Sequence, residues 1–441
     1  MKRRMVTLVT TTVMVLSLLI GCGNNTDTGK VNSEGTGESE NSGGSTTGGD
    51  NEITVWAWDP NYNIVALNEA KRIYNEANPE VNINIVEMAK ADIEQKLTTV
   101  LASGDSEGLP DIVLVEDYNA KKYLSAYPDA FVPYDKVDYS KFASPVDFMT
   151  IEGNTYGVPF GLATTALYYR ADLFEEAGYT EDDMQNITWE QYADMGKKVK
   201  EVTGVDMMTF DPSNTEIIRI MMHSAGSWYT DQDGKPNLAD NKALKKAFET
   251  AKEVVNTAPI TLVADWTEFV GAFNGGKVAT VISGCWITPS IITEESQSGQ
   301  WRIAPTPRMD MEGSGNASNL GGSSFYVLNQ ENQELAKDFI TKTFAESSEL
   351  YENILASNGI QSMFAPAFES PVYQEPQEFF GGQKTNAILG EWTEEVPAVD
   401  FGEYTWEADS IVAASFAEVT NGADIKQTLD SAQEQFEAQI Q

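Results

Sequence analysis

Three places in this 441-residue chain bring an indole or a carboxylate to the end of an apolar run. They are Trp58-Asp59, Glu116-Asp117, and Trp286, which Val278–Ile282 reaches through Ser283-Gly284-Cys285. An indole offers a flat apolar face to the axial C–H groups of a sugar ring, and carboxylates accept its hydroxyls. Paired carboxylates can also hydrolyse glycosides. Adjacent residues on one strand project to opposite faces, however, so Glu116 and Asp117 make a poor acid and nucleophile pair. For Trp56 the expectation is a core position, on the opposite face from Trp58. For Trp58 and Trp286 spacing leaves core and ligand wall both open. His223 is the single histidine; it follows Met221 and Met222 on an apolar helical stretch and is expected to be packed. Most zinc and histidine-activated nucleophile chemistry therefore lacks its parts. No catalytic residue, metal or cofactor is expected. Asp231-Gln232-Asp233-Gly234 has its glycine at the fourth position of a would-be calcium loop and lacks the distal glutamate, so it reads as a hairpin turn.

The elements that must position these groups follow from periodicity. Ile53–Trp58 reads as a strand. Ile64, Leu67, Ala70, Tyr74 and Ala77 form a helical face, stopped by Asn78-Pro79. Val81, Ile83 and Ile85 alternate with Asn82 and Asn84 as a second strand. Ile93, Leu97, Val100 and Leu101 form another helical face. Ile112–Val115 is a continuous apolar strand, as in a sheet covered on both sides. The β-α-β-α-β order predicts an α/β sheet with right-handed crossovers, whose ligands bind outside the carboxyl ends of its strands. Beyond it, Trp189–Val202 reads as a helix with Thr188 as N-cap, Asn241–Asn256 as an amphipathic helix, and Val278–Ile282 and Ser324–Leu328 as strands. From Glu334 onward the pattern is helical, apart from a Pro- and Gly-rich stretch over Pro371–Gly382.

The N-terminus has the form of an export signal. Lys2, Arg3 and Arg4 precede an uncharged apolar run, Met5–Ile20, which is shorter than the roughly 20 residues of a spanning helix. Leu19-Ile20-Gly21-Cys22 resembles the lipobox of bacterial lipoproteins. That resemblance implies removal of residues 1–21 and lipid attachment at Cys22. Residues 22–50 have one aliphatic side chain, Val31, and no aromatic one, so they read as a flexible leash. Cleavage would remove three of 29 basic residues and none of 67 acidic ones. The remaining 26 against 67, a formal charge of −41, repels nucleic acid and anionic lipid. With Cys22 acylated, Cys285 has no disulfide partner. About 390 residues then fold on their own core, enough for two lobes.

Taken together, several segments resemble the family 1 extracellular solute-binding proteins of ABC importers, the group that includes the maltose-binding type. They include Leu109-Pro110-Asp111-Ile112-Val113, and Tyr156-Gly157-Val158-Pro159 leading into Ala166–Arg170. Thr188-Trp189-Glu190, Phe273–Ala279 before Gly284-Cys285-Trp286, and Leu320-Gly321-Gly322 continue the series. The resemblance implies an α/β, two-lobe periplasmic-binding-protein-like fold (type II), with lobes joined by crossing hinge segments. Lobe 1 would be residues 51–160 and 286–322, and lobe 2 residues 161–285 and 323–441. Crossings would fall near Val158–Leu167, Val281–Trp286 and Leu320–Ser324. It further implies a monomer that takes a small carbohydrate, closes by hinge bending, docks on ABC permease subunits and sits on the extracytoplasmic face of the cell membrane through its lipid. The implied ligand contacts are Trp58, Asp59, Glu116, Asp117, Thr164, Tyr168, Asn214, Trp286, Gly321, Gly322, Tyr404 and Trp406. Ala163-Thr164 stands where the maltose type carries a cleft glutamate, which argues against maltose itself. Phe379–Gln383 and Tyr404–Ser410 look more like lactose or arabinooligosaccharide binders. The competing readings are the same fold with a polyamine or glycerol phosphate, an exported glycosidase, and a tethered sensor.

Overall fold

The computed structural model describes residues 51–104, 106–143, 146–161 and 163–440. The export signal, Cys22 and the leash lie outside the described residues. Among the described residues no helix is long and apolar enough to cross a membrane.

Among the described residues, eight strands build the two larger sheets. In chain order they are β1 (Glu52–Ala57), β2 (Asn82–Glu87), β3 (Ile112–Glu116), β4 (Gly157–Gly161), β5 (Thr165–Arg170), β6 (Thr280–Gly284), β7 (Trp301–Ala304) and β8 (Ser323–Val327). The first sheet runs β2-β1-β3-β8-β4, and the second runs β6-β5-β7. β1 pairs in parallel with β2 and β3, through the helices Asn63–Ala77 and Lys90–Ser103. This is the β-α-β-α-β unit read from periodicity. β8 is antiparallel to both β3 and β4.

Alternation along the strands divides the core into two layers. Ile53, Val55, Ile112 and Leu114 face the helices Asn63–Ala77, Gln333–Ile340 and Ser348–Asn358. Trp56, Val113 and Val115 face Lys90–Ser103 and Asp117–Ala126. In β5, Ala166 and Tyr168 belong to the first layer and Leu167 and Tyr169 to the second. Trp56 is buried, as expected. The expected opposition to Trp58 does not hold, because residues two apart on a strand share a face. β1 ends at Ala57, and Trp58 lies beyond it, half-buried against both layers.

The chain crosses between the sheets three times. It passes from β4 to β5, and from β7 back to β8. After the helix Ser348–Asn358, which packs on Asn63–Ala77, it returns to Glu378–Phe380, which packs on β7. One expected crossing and two lobe assignments are thereby corrected. Val281–Trp286 does not leave the second sheet, since β6 pairs along its length with β5. β7, assigned to lobe 1, is hydrogen-bonded to β5, and β8, assigned to lobe 2, is hydrogen-bonded into the first sheet. Apolar periodicity marks a strand but not the sheet it joins. The C-terminal helices Thr405–Thr420 and Ile425–Gln439 pack on each other and on Lys242–Thr257. The first of them also reaches Asp117–Ala126 across the two bodies.

Candidate ligand-binding site

The parallel strands β1 and β3 end at the edge of the first sheet where the crossings from β4 and into β8 leave it. Carboxyl ends and crossings therefore meet, as open α/β sheets place their ligands. At β1, Asp59 has a φ of 51°. Its carboxylate accepts from Asn61 N at 2.9 Å and its carbonyl accepts from Tyr62 N and Ile64 N. Asp59 thus turns the chain into its helix, with its side chain exposed. At β3 the two carboxylates part. Glu116 is half-buried and accepts from Lys90 Nζ at 2.7 Å. Asp117 is buried and accepts from Ser324 Oγ at 2.8 Å. Burial pushes its pKa up to about 8, and Glu116 adds to the rise. A neutral carboxyl results, held against the crossing before β8. Gly322, at φ 107°, has no Cβ because one there would collide with the Asp117 carboxylate. Gly321 donates its N–H to Tyr118 Oη at 2.8 Å.

Two expected contacts are engaged inside the fold. Tyr168 is fully buried, and its hydroxyl shares a hydrogen bond with Thr288 Oγ1 at 2.8 Å. It is a core residue, because β5 is covered on both faces and position 168 lies in the first layer. Thr164 is buried against Thr393 Oγ1 at 2.7 Å, which ties the first crossing to the helix Thr385–Thr393. A cavity of about 500 Å³ lies beside it, lined by Asp117, Asp147, His223, Asn319, Pro397 and Phe401 among others. His223 is packed, as expected. Its Nε2 lies 3.0 Å from Pro397 O, and burial lowers its pKa to about 4.

Trp406 and Tyr404 are half-buried at the start of Thr405–Thr420. Two cations already lie over the Trp406 ring, Lys90 Nζ at 4.9 Å and the Arg219 guanidinium at 5.1 Å. Arg219 is buried. Burial opposes its charge, but Asp409, 3.6 Å away, holds it protonated. Tyr229 and Thr215 each donate to the other Asp409 oxygen at 2.6 Å. In this structure the ring surface of Trp406 is taken by charge.

Trp286 is half-buried, with its indole N–H donated to Leu320 O at 2.8 Å. Gly284 behind it has no room for a Cβ, which would meet that indole and Leu320 O. A second indole, Trp266, lies with its centroid 6.0 Å from that of Trp286 and is 51% exposed. Trp266 opens the helix Trp266–Asn274, which Asp265 caps by accepting from Glu268 N at 2.8 Å. It walls a hollow of about 260 Å³ together with Phe210, Asp211, Asn214, Phe269 and Ile282. Asn214 therefore stands in the hollow, its Oδ1 accepting from Glu216 N at 2.7 Å. The sequence reading passed over Trp266, Asp211 and Arg219. The signal for Trp266 was Val263-Ala264-Asp265-Trp266, a capping residue followed by an aromatic one at the first helical position.

An α/β fold crossed three times between two sheets, with ring and carboxylate groups at the crossing edge, describes a class of ligand-trapping proteins. The chain belongs to the bacterial extracellular solute-binding protein family, whose sequence profile matches residues 69–381. It is 42% identical over 393 residues to the lactose-binding protein of Rhizobium radiobacter, covering 88% of this chain and 93% of that one. It is 28% identical over 313 residues to the arabinooligosaccharide-binding protein of Bacillus subtilis, covering 68% and 70%. Among solved structures it superposes on the GacH receptor of Streptomyces glaucescens with a TM-score of 0.72 at 17% identity, covering 88% and 97%. It superposes on a binding protein of B. animalis subsp. lactis in complex with β-1,6-galactobiose with a TM-score of 0.70 at 21% identity, covering 87% and 96%. The fold is thus the two-lobe, type II binding-protein fold expected above.

Proposed function

We propose that this protein is the sugar-binding subunit of an ABC importer, taking a disaccharide or short oligosaccharide of the galactoside kind. The observation that carries this is the half-open indole of Trp266 beside Trp286, above a hollow that also presents Asp211 and Asn214. Ring faces for C–H surfaces and carboxylate and amide groups for hydroxyls are what a neutral saccharide needs. The 42% identity to a lactose-binding protein supports the choice of sugar. Lobe 1 is the body around the first sheet and lobe 2 the body around the second. The sugar sits at the edge from which β1 and β3 deliver Trp58 and Glu116. Binding shifts the lobes toward a closed form that a permease accepts. The protein acts as a monomer, tethered outside the membrane by a lipid on Cys22, and carries out no reaction on the sugar.

Isothermal calorimetry tests the ligand class. Lactose, β-1,6-galactobiose and arabino-oligosaccharides are titrated against putrescine, spermidine and glycerol 3-phosphate. Heat of binding from a saccharide alone supports the proposal, and binding of an amine or phosphate alone overturns it. Trp286→Ala is expected to abolish sugar binding; because its indole also bonds Leu320 O, the melting temperature should fall as well, and a far-ultraviolet circular dichroism spectrum like the parent's separates lost binding from lost fold. For the tether, Cys22→Ser is expected to abolish labelling by a fatty-acid analogue; continued labelling overturns that part.

A further inference from the structure

We infer that the hollow walled by Trp266 is a second sugar subsite adjoining Trp286, and that it makes two linked rings the shortest well-bound ligand. The inference rests on the saccharide reading above and goes further, to the length of the ligand and the residue that sets it. Trp286 is fixed. Its indole N–H is bound to Leu320 O on the crossing before β8, and Gly284 lets it lie close to the backbone. Trp266 has no such anchor. It is one of three large apolar side chains left exposed among the described residues. An isolated exposed tryptophan would need no explanation. This one lies 6.0 Å from Trp286, 5.4 Å from Phe269, and on the rim of a cavity.

The hollow is small. About 260 Å³ falls below the usual range of small-molecule clefts, roughly 300–1,000 Å³. The lining suits a sugar ring. Trp266 and Phe269 offer apolar faces. Asn214 uses its oxygen on Glu216 N, which leaves its amide N–H groups to donate. Asp211 Oδ1 accepts from Ser213 N at 2.8 Å and Asp265 Oδ1 from Glu268 N, so each carboxylate keeps its second oxygen for a hydroxyl. Trp286 does not line the hollow but abuts the ring that does. A sugar in the hollow therefore lies one aromatic ring away from Trp286, where a linked second unit has a ring to rest on. The 6.0 Å between the two indoles is comparable to the separation of successive rings in a disaccharide. A monosaccharide can use one subsite only.

The test compares lactose with galactose by calorimetry on the parent, Trp266→Ala and Trp266→Phe proteins. The parent should bind lactose more tightly than galactose. Trp266→Ala should shrink that preference by about twofold to tenfold, the scale of one lost aromatic contact. Trp266→Phe should restore part of it. Because Trp266 is half in solvent, the alanine variant should melt at the parent temperature. Equal weakening of both sugars, an unchanged ratio, or a parent that binds galactose as tightly as lactose overturns the second subsite while leaving sugar binding intact. A parent that binds neither sugar but binds an amine overturns the saccharide reading itself, and the subsite with it.

Discussion

Asp117 shows how burial can outweigh a favourable local field. It is the first residue of the helix Asp117–Ala126, where the helix dipole favours a carboxylate by up to about 1 kcal/mol. Burial against Gly322 and Ser324 acts the other way and raises its pKa from 3.8 to about 8. The folded protein then holds a proton between these values that the unfolded chain has released. The stability Asp117 contributes is complete below pH 4 and is lost as the pH rises through 8. Asp117→Asn, an uncharged isostere, should therefore flatten the fall in melting temperature between pH 5 and 9. A parallel fall in both proteins by scanning calorimetry would contradict this. His223 works in the other direction. Its pKa is lowered to about 4, so its share of stability holds above pH 6.5 and is lost as the pH falls toward 4. That His223 would be packed was legible from its apolar neighbours. That Tyr168 would be buried was not, because the resemblance placed it on a crossing, and only the pairing of β5 between β6 and β7 shows that it is a central strand covered on both faces.

At the scale of elements, local chemistry agrees with sequence where the determinants are local. The helix Trp189–Thr203 begins at Thr188, as expected. Thr188 Oγ1 accepts from Gln191 N at 3.3 Å, and Gln191 Oε1 accepts from Thr188 N at 2.8 Å, which makes a reciprocal capping box. Thr188→Ala should cost about 1 kcal/mol, read from the midpoint of urea unfolding, and Thr188→Ser should cost little. An unchanged midpoint in the alanine variant would mean that the packing of Trp189 and Tyr192 alone holds the helix start. Asp231–Gly234 is the expected turn. Asp231 Oδ1 accepts from Asp233 N and Lys235 N, so this oxygen is already committed to the backbone. The helix Lys242–Thr257 and strands β1 to β3 lie within a few residues of their expected bounds.

The whole molecule adds contacts that no local pattern announces. Lys121 Nζ reaches Asp400 at 2.7 Å and Lys122 Nζ reaches Glu407 at 2.5 Å, from a helix of the first body to the C-terminal segment on the second. Beneath them Tyr118 stacks on Trp228 at 5.4 Å and meets Phe401 edge-on at 4.7 Å. In a chain of 29 basic and 67 acidic residues, like charge drives the two bodies apart, and these pairs oppose that repulsion locally. Exposed pairs contribute up to about 1 kcal/mol each. Replacing both lysines by alanine should therefore enlarge the unliganded radius of gyration in small-angle scattering and weaken sugar binding about twofold to tenfold. Exchanging the charges, Lys122→Glu with Glu407→Lys, should recover part of the loss. Identical scattering curves for parent and double variant would remove these pairs as a brace between the bodies.

The sequence alone determined the β-α-β-α-β opening and the acidic charge, because periodicity and composition act over a few residues, and its motifs in series carried the resemblance to the family. Tertiary structure decided which sheet each later strand joins, and hence where the chain crosses. It decided that Asp117, Thr164 and Tyr168 are held by internal partners, and that Trp266 stands open beside Trp286. Those outcomes depend on pairing between segments distant in the chain, β8 with β3 above all. An apolar run of five residues satisfies either sheet equally, and only the hydrogen bonds it finds there choose between them.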